Sequence, residues 1–237
     1  MQTYSELLEG LKKIKKQGFV KTHRTGNTGI GKTLEDLLGI EENNFAGPDG
    51  ELTELKSARK SAKSMLTLFT KSPLPKSANS TLLQKYGYAS KKENGNKELH
   101  TTVNAISFNT LKGKPGFKIG IKTDRIEIIG QDKKESDVPY WDKETLKDRF
   151  ETKYHQLLYV KADSRGKGED EEFHFNEAYL LHGFDFNNFI KLLTEGTILV
   201  DIRIGQYSDG RPHDHGTGFR VFPDKLDLCF SNRQRVV

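Results

Sequence analysis

Pro48-Asp49-Gly50-Glu51-Leu52-Thr53-Glu54-Leu55-Lys56-Ser57 sets a carboxylate in a Gly/Pro turn directly ahead of a segment that reads as a β-strand. Side chains along a strand alternate between its two faces. Glu54 and Lys56 are therefore expected to point the same way and Leu55 into the core. Asp49, in the turn marked by Gly47, Pro48 and Gly50, can swing onto the Glu54 face. Two carboxylates beside an ammonium suit a hard divalent cation and a water to be activated. The pattern is short for a chain that is 30% charged, and the same residues also suit a half-solvated edge strand. What surrounds the stretch has to decide between them.

Composition leaves the question open but narrows it. At 237 residues the chain can bury a real core, and its 14 Phe and 8 Tyr provide the material. Lys and Arg number 38 against 33 Asp and Glu, with a sequence pI near 9.0. That balance permits a polyanionic partner without requiring one. A lone cysteine, Cys229, cannot form an intramolecular disulfide, which fits a reducing cytoplasm. No apolar run approaches the length of a membrane span or a signal h-region, so a soluble cytoplasmic protein is expected.

Outward from the opening stretch, strands and helices intermix, which indicates a mixed α/β class. Thr3 and Glu6 form a capping-box pattern ahead of Leu7, Leu8, Leu11 and Ile14, and Gly18 stops that helix. A polar Gly-rich loop, Lys21 to Gly31, leads into a short helix carrying Leu34, Glu35, Leu37 and Leu38. An apolar strand is expected at Met65 to Thr70 and a helix at Asn79 to Tyr86, followed by a mobile stretch at Ser90 to Lys97. Strands are expected at Leu99–Ser107, Phe117–Lys122 and Arg125–Ile129. Further on come a helix near Asp142–Phe150, a strand at Leu157–Lys161 and a charged loop at Arg165–Asp170. The chain closes with a helix at Asn187–Leu193, a strand at Ile198–Ile204, a polar loop and a strand at Phe219–Phe222.

Gly26-Asn27-Thr28-Gly29-Ile30-Gly31-Lys32-Thr33 satisfies the P-loop pattern in full, and Ile198-Leu199-Val200-Asp201 resembles the apolar strand ending in Asp that accompanies it. A nucleotide-hydrolysing enzyme is thus a rival reading. The P-loop, however, needs a buried apolar strand running into its first glycine, and Lys21-Thr22-His23-Arg24-Thr25 could not be a central parallel strand. The loop could equally cap a helix, or bring backbone N–H groups to DNA phosphates.

In Val200-Asp201-Ile202-Arg203-Ile204 the apolar side chains face one way and Asp201 and Arg203 the other. An acid and a base on the open face of a strand could read base edges, since Arg pairs with guanine O6 and N7 and Asp accepts from cytosine N4. An internal ion pair on a solvated face would look the same. Downstream, Arg211-Pro212-His213-Asp214-His215-Gly216-Thr217-Gly218-Phe219-Arg220 gathers many hydrogen-bond donors in one place. His213-x-His215 could begin a zinc site, but neither a cysteine cluster nor a third spaced histidine accompanies it.

Taken together these pieces resemble the MvaI/BcnI restriction endonucleases, a MutH-like branch of the metal-dependent PD-(D/E)xK nucleases. The resemblance runs over essentially the whole chain. It is carried by GNTGIGKTLEDLL at Gly26–Leu38, PDGELTELK at Pro48–Lys56, LTLFTKSP at Leu66–Pro73, LHTTV at Leu99–Val103, VDIRIGQY at Val200–Tyr207 and HDHGTGFR at His213–Arg220. It implies an α+β fold with a mixed sheet, flanking helices and two lobes around duplex DNA. The catalytic lobe is expected mainly within residues 1–110 and the base-recognition lobe mainly within 150–237.

By the same resemblance, Asp49, Glu54 and Lys56 match the catalytic positions and Glu35 a further acid near the metals. Asp49, Glu54 and the Leu55 carbonyl would hold one or two Mg²⁺ ions. Asp201, Arg203, His213, His215 and Arg220 match base-reading positions, with Tyr207 beside them, and Lys71 matches a phosphate-supporting position. The family reads CCWGG or CCSGG, with W for A or T and S for G or C. His213–Thr217 is similar to the MvaI version of the loop, whereas Glu172-Phe173-His174-Phe175 is closer to the BcnI version; CCWGG is the expectation. A monomer nicking the two strands in turn is implied, as is a companion methyltransferase. A DNA-binding module with a vestigial nuclease centre is the other alternative.

Overall fold

The computed structural model describes residues 1–40, 47–90, 95–132 and 138–237. Part of the expected mobile stretch, residues 91–94, lies outside them. The first helix, α1 (Tyr4–Gln17), has the expected capping box: Thr3 Oγ1 accepts from the Glu6 N–H, and Glu6 Oε2 accepts from the Thr3 N–H at 2.8 Å. Leu7, Leu11 and Ile14 are its buried stripe and Gly18 its cap. Next come β1 (Val20–Lys21), α2 (Gly29–Leu38), β2 (Thr53–Arg59) and β3 (Leu66–Thr70). Then follow α3 (Ala78–Tyr86), β4 (Tyr88–Ala89), β5 (Lys97–Val103), β6 (Phe117–Ile121), β7 (Arg125–Gly130) and β8 (Tyr140–Asp142). The rest of the chain forms α4 (Lys143–Lys153), β9 (Gln156–Arg165), β10 (Glu172–His182), α5 (Phe186–Thr194), β11 (Ile198–Gln206), β12 (Pro212–Asp214), β13 (Gly218–Val221) and β14 (Asn232–Arg235).

Several elements depart from the sequence expectation, and for three of them the structure shows why. β10 escapes the period-two pattern because its pairing with β9 shifts register between Phe175 and Glu177. That bulge moves burial from Phe173 and Phe175 to Ala178 and Leu181. β14 carries only exposed Asn, Arg and Gln, and its pairing with β10 leaves no apolar signal. β5 stops at Val103, short of Ser107, because Asn104 Oδ1 accepts from the Ile106 and Ser107 N–H groups and turns the chain.

The chain forms two compact units that are interleaved along the sequence. One comprises residues 1–64, 149–185 and 226–237, the other 65–148 and 186–225. The apolar strand β3, which follows the Glu54 strand in sequence, thus belongs to the second unit, where it pairs with β13. Neither unit coincides with the expected stretches, mainly 1–110 and mainly 150–237; each unit is assembled from separate segments.

In the first unit the strand order is β1-β10-β9-β2, with β14 also on β10. β2 runs parallel to β9 and the other neighbours are antiparallel, so the sheet is mixed. Helices α1 and α2 cover one face, burying Leu11, Ile30, Leu34, Leu55, Leu158 and Phe173 in one core. Leu55, 5% exposed, points into that core as the alternation requires. The opposite side holds an aromatic cluster of Phe150, Tyr154, Phe184 and Phe230. Cys229 lies buried as a thiol outside any disulfide among the described residues, and burial pushes its pKa up to about 12.

The second unit contains a sheet of order β3-β13-β11-β5-β4, with β12 on β11, and a three-stranded sheet β6-β7-β8. Along β11, Val200, Ile202 and Ile204 are fully buried. Phe69, Phe189, Phe219 and Trp141 form the aromatic part of this core. Trp141 Nε1 donates to the Lys71 carbonyl at 2.8 Å, which satisfies the one polar atom of a fully buried indole.

Candidate active site and recognition face

β2 lies at the end of its sheet path, but it is not the solvated edge strand that its charges would suit. Glu54 is 0% exposed. The turn before the strand closes through the Gly50 N–H donating to the Thr53 carbonyl at 2.8 Å, and it is pinned to the N-terminus by Glu51 N to Gln2 O at 2.9 Å. A Cβ on Gly50 would stand 2.9 Å from Gln2 O and 3.0 Å from Leu7 Cδ1, so glycine allows the turn to sit against α1. This places Asp49 over the start of the strand, where its Oδ2 accepts from the Leu55 N–H at 2.8 Å. The expected swing of Asp49 onto β2 is what the backbone does.

Around Glu54 two ammonium groups converge. Lys56 Nζ lies 2.5 Å and Lys153 Nζ 3.0 Å from Glu54 Oε1, both as ion pairs. Both Glu54 oxygens are buried with no hydrogen-bond partner among the described residues, the two ammonium groups meeting Oε1 as ion pairs. Burial raises the Glu54 pKa and Asp49 raises it further, against the pull of Lys56 and Lys153. Burial pulls the Lys56 ammonium down, but Glu54, Asp49 and Glu35 outweigh it and hold its pKa above the ordinary value. Glu35, on α2, is thereby within electrostatic range of this cluster, as expected. Asp49, Glu54, Lys56 and Glu35 all fall in the first unit.

The donor set fits a hard dication. A buried carboxylate oxygen without a partner costs free energy that a cation would recover. Mg²⁺ is commonly held by one or two carboxylates, with water and substrate phosphate completing its shell. Among the described residues no group of three or more His, Cys, Asp and Glu side chains is placed to hold a metal ion, so water and phosphate would have to complete the shell.

The second unit gathers the expected base-reading residues on the polar face of the β5-β11-β13 sheet. Register sets Arg203 opposite His100, Asp201 opposite Thr102 and Gly218 opposite Asp201. One expectation is corrected here: Asp201 is not on an open face but is 1% exposed. Its Oδ1 accepts from Thr102 Oγ1 at 3.0 Å, and its Oδ2 meets Arg203 Nε at 2.7 Å and Arg220 Nε at 3.0 Å. Both oxygens are engaged and the residue is buried. The side chain of Arg203 is 40% exposed and that of Arg220 19%.

The histidine loop hangs from the same strand. The His215 N–H donates to the Arg203 carbonyl at 2.7 Å, and the Arg203 N–H donates to Thr217 Oγ1 at 3.0 Å. Asp214 fixes the loop from inside, accepting from Ser72, Asn79 and the Gly216 and Thr217 N–H groups. Burial would raise the Asp214 pKa, but these hydrogen bonds prevail and lower it. The rings of Tyr207, His213 and His215 then line up, Tyr207 stacked on His213 at 4.5 Å and His213 edge-on to His215 at 4.3 Å. A Cβ on Gly205 would stand 2.3 Å from His215 Nε2, so glycine lets the imidazole lie against β11. A pocket of about 730 Å³ opens here, lined by Lys97, His100, Gln206, Tyr207, His213 and His215 among others. Lys71 lies in this unit too, its N–H donating to the Thr217 carbonyl at 3.1 Å.

The P-loop pattern folds as something else. β1 is a two-residue strand antiparallel to β10 at the sheet edge, and α2 begins at Gly29, inside the motif. Lys32 pairs with Asp36 at 2.7 Å, one turn along the same helix.

A model of the MvaI/BcnI restriction endonuclease family matches residues 8–230. The chain belongs to this family. Among solved structures it is similar to the restriction endonuclease MvaI in complex with its cognate DNA substrate, at 34% identity and a TM-score of 0.88 over 100% of both chains. It is also similar to MvaI in the absence of DNA, at 34% identity and a TM-score of 0.59 over 100% of this chain and 99% of that one. A search of curated protein sequences gave no match. The restriction endonuclease fold and the site-specific deoxyribonuclease class follow from family membership, and the nucleotide-hydrolase reading falls away.

Sequence reasoning missed Lys153, Thr102, Asp214 and His100 as parts of these two sites. His100 and Thr102 carried a usable signal, since alternation in Leu99-His100-Thr101-Thr102-Val103 puts both opposite Leu99 and Val103. Lys153 carried none, because its approach to Glu54 depends on the parallel pairing of β2 with β9.

Proposed function

We propose that the chain is a Mg²⁺-dependent type II restriction endonuclease that hydrolyses phosphodiester bonds in double-stranded DNA at CCWGG. The observation that carries the chemistry is the buried Glu54 carboxylate, neither oxygen of which has a hydrogen-bond partner among the described residues, beside Asp49 and Lys56. Asp49, Glu54 and the Leu55 carbonyl would hold one or two Mg²⁺ ions, with Glu35 as an outlying acid. Bound there, Mg²⁺ supplies Lewis-acid polarisation of the phosphoryl oxygen and a water of lowered pKa. Lys56 orients the attacking water and offsets the charge that develops on phosphorus.

Specificity belongs to the second unit. Arg203 and Arg220 each pair with a guanine, held in place by Asp201, while His213, His215 and Tyr207 face the remaining bases. Lys71 meets a phosphate, which positions the protein without reading sequence. The likeness of His213–Thr217 to the MvaI loop favours CCWGG over CCSGG. With one Glu-x-Lys centre per chain, the enzyme acts as a monomer that nicks one strand, turns round and nicks the other. A companion methyltransferase protects the host sites, and the protein works in the cytoplasm; no helix among the described residues is long and apolar enough to cross a membrane. Cleavage of plasmids bearing CCWGG or CCSGG, with Mg²⁺ or with chelator, tests this reading. Mg²⁺-dependent cuts at CCWGG, passing through a nicked circle, are expected; absence of any cation-dependent cleavage would overturn it.

A further inference from the structure

Lys153 is absent from the acid-x(n)-Glu-x-Lys pattern, yet it reaches the same Glu54 oxygen as the motif lysine. It stands in the last turn of α4 and is 15% exposed. The chain delivers it there directly. Three residues beyond it, Gln156 opens β9 opposite Thr53, with Gln156 Nε2 donating to Thr53 Oγ1 at 2.7 Å, so the end of α4 is tied to the start of β2. Removing a long ammonium side chain from water costs free energy and rotamer entropy, which makes a second lysine on an oxygen already held by the first a feature that needs a reason.

Orientation is not that reason. Lys56 already fixes Glu54 Oε1 at 2.5 Å, and the carboxylate is buried on a paired strand. What Lys153 adds is charge. Against the carboxylates of Asp49, Glu54 and Glu35 stand Lys56 and Lys153, so without Lys153 the cluster would present a larger negative excess to a dication. A unit charge a few ångströms away is felt even through water, and more strongly near a protein surface or toward a dication.

We propose that Lys153 holds down the cation affinity of the DNA-free enzyme, so that a divalent ion is retained firmly only when a DNA phosphate completes the site. This rests on Glu54 and Asp49 being the cation ligands. By linkage, DNA then strengthens cation binding by the same factor as the cation strengthens DNA binding.

The test is Mn²⁺ binding to the intact protein, followed by electron paramagnetic resonance of the free ion, at neutral pH and with or without a non-cleavable CCWGG duplex. In the wild type, DNA should tighten Mn²⁺ binding by at least about tenfold. Lys153→Gln, which keeps a donor but removes the charge, should tighten Mn²⁺ binding by the DNA-free protein about tenfold. The same variant should bind DNA more weakly in chelator, and Lys153→Arg should behave as wild type. A role in packing or orientation alone would instead weaken Mn²⁺ binding in Lys153→Gln, and that result, or no change, overturns the proposal. Should Lys153→Gln fail to fold, equal Mn²⁺ affinity of the wild type with and without DNA overturns it independently. If the wild type binds no Mn²⁺ even with DNA, the assignment of the cation ligands fails first, and the two failures are thereby distinguished.

Discussion

Glu54 in the first unit and Asp201 in the second are built alike and finished differently. Each is a fully buried acid on a strand, followed two residues later by a base on the same face, and each holds a second base from another element. Around Asp201 both oxygens are engaged: Thr102 donates to one, Arg203 donates to the other, and Arg220 meets that second oxygen as an ion pair, its buried Nε making no hydrogen bond among the described residues. Around Glu54 the site is open, because the two ammonium groups meet Oε1 as ion pairs and neither oxygen has a hydrogen-bond partner among the described residues. The bases differ to match. Arginine offers a planar fork whose unused donors can still face a base edge, whereas lysine is a compact point charge suited to water and phosphate. A saturated acid positions its neighbours, and an unsaturated one has capacity left for an ion.

Removing each acid should therefore have different consequences. The largest effect is expected from Glu54→Ala and Lys56→Ala. Each should lower Mg²⁺-dependent cleavage by a factor of about 10³ or more, while binding to a CCWGG duplex in chelator changes little, since affinity comes from many contacts elsewhere. Single-turnover cleavage and filter binding on the same preparations would separate the two. A Lys56→Ala enzyme that cuts at near the wild-type rate would remove the lysine from the chemistry.

Asp201→Asn should act on stability and reading rather than on chemistry. It leaves Arg220, 19% exposed, beside an uncharged partner, and breaking a buried pair in this way costs about 3 kcal/mol or more. Denaturant unfolding should show that loss, and singly substituted duplexes should show weaker discrimination at both guanines, by about 1–3 kcal/mol each. Glu54→Gln should cost less stability, because the ionised Glu54 is itself disfavoured by burial. If the two variants lose equal stability, the distinction between the closed and the open acid does not hold.

The pH dependence follows from the same contrast and is the smallest effect, about tenfold in rate per pH unit on its acid limb. Burial, then Asp49, raises the Glu54 pKa. As pH falls, Glu54 takes up its proton above the usual carboxylate value of about 4.3, so cleavage at fixed Mg²⁺ should fade earlier than DNA binding does. The stability sign is opposite for two acids. The raised Glu54 pKa means its ionised form costs stability at high pH, a cost relieved on acidification. Asp214, whose pKa is lowered, contributes stability above its unfolded value that is lost as pH falls through its folded one. Cleavage and binding profiles that lose amplitude together on acidification would show that Glu54 does not set the limb.

The readable parts of this chain are those decided locally. The capping box of α1, the Gly/Pro turn that swings Asp49 onto β2, and the shared face of Glu54 and Lys56 depend on residues within one turn or one strand, and all appear as expected. Parts decided by long-range pairing were hidden. Asp201 reads as an open-face acid from its own strand, because Thr102 lies 99 residues away, on β5. Lys153 belongs to a helix whose residues show hardly any apolar stripe, and only the β2–β9 pairing carries it to Glu54. β10 was masked by its own bulge at the centre of a sheet. The P-loop match erred in the other direction, since a local pattern was complete while the buried parallel strand it requires was missing from before it.

The claim that Glu54 is the open acid and Asp201 the closed one is tested most directly by crystals of the protein with a CCWGG duplex and Mn²⁺, measured for anomalous scattering. An anomalous peak should lie against Glu54 Oε2 and Asp49, and none should lie against Asp201, whose oxygens should keep Thr102, Arg203 and Arg220. A peak at Asp201, or an empty Glu54 with Mn²⁺ bound elsewhere on the chain, would contradict the account.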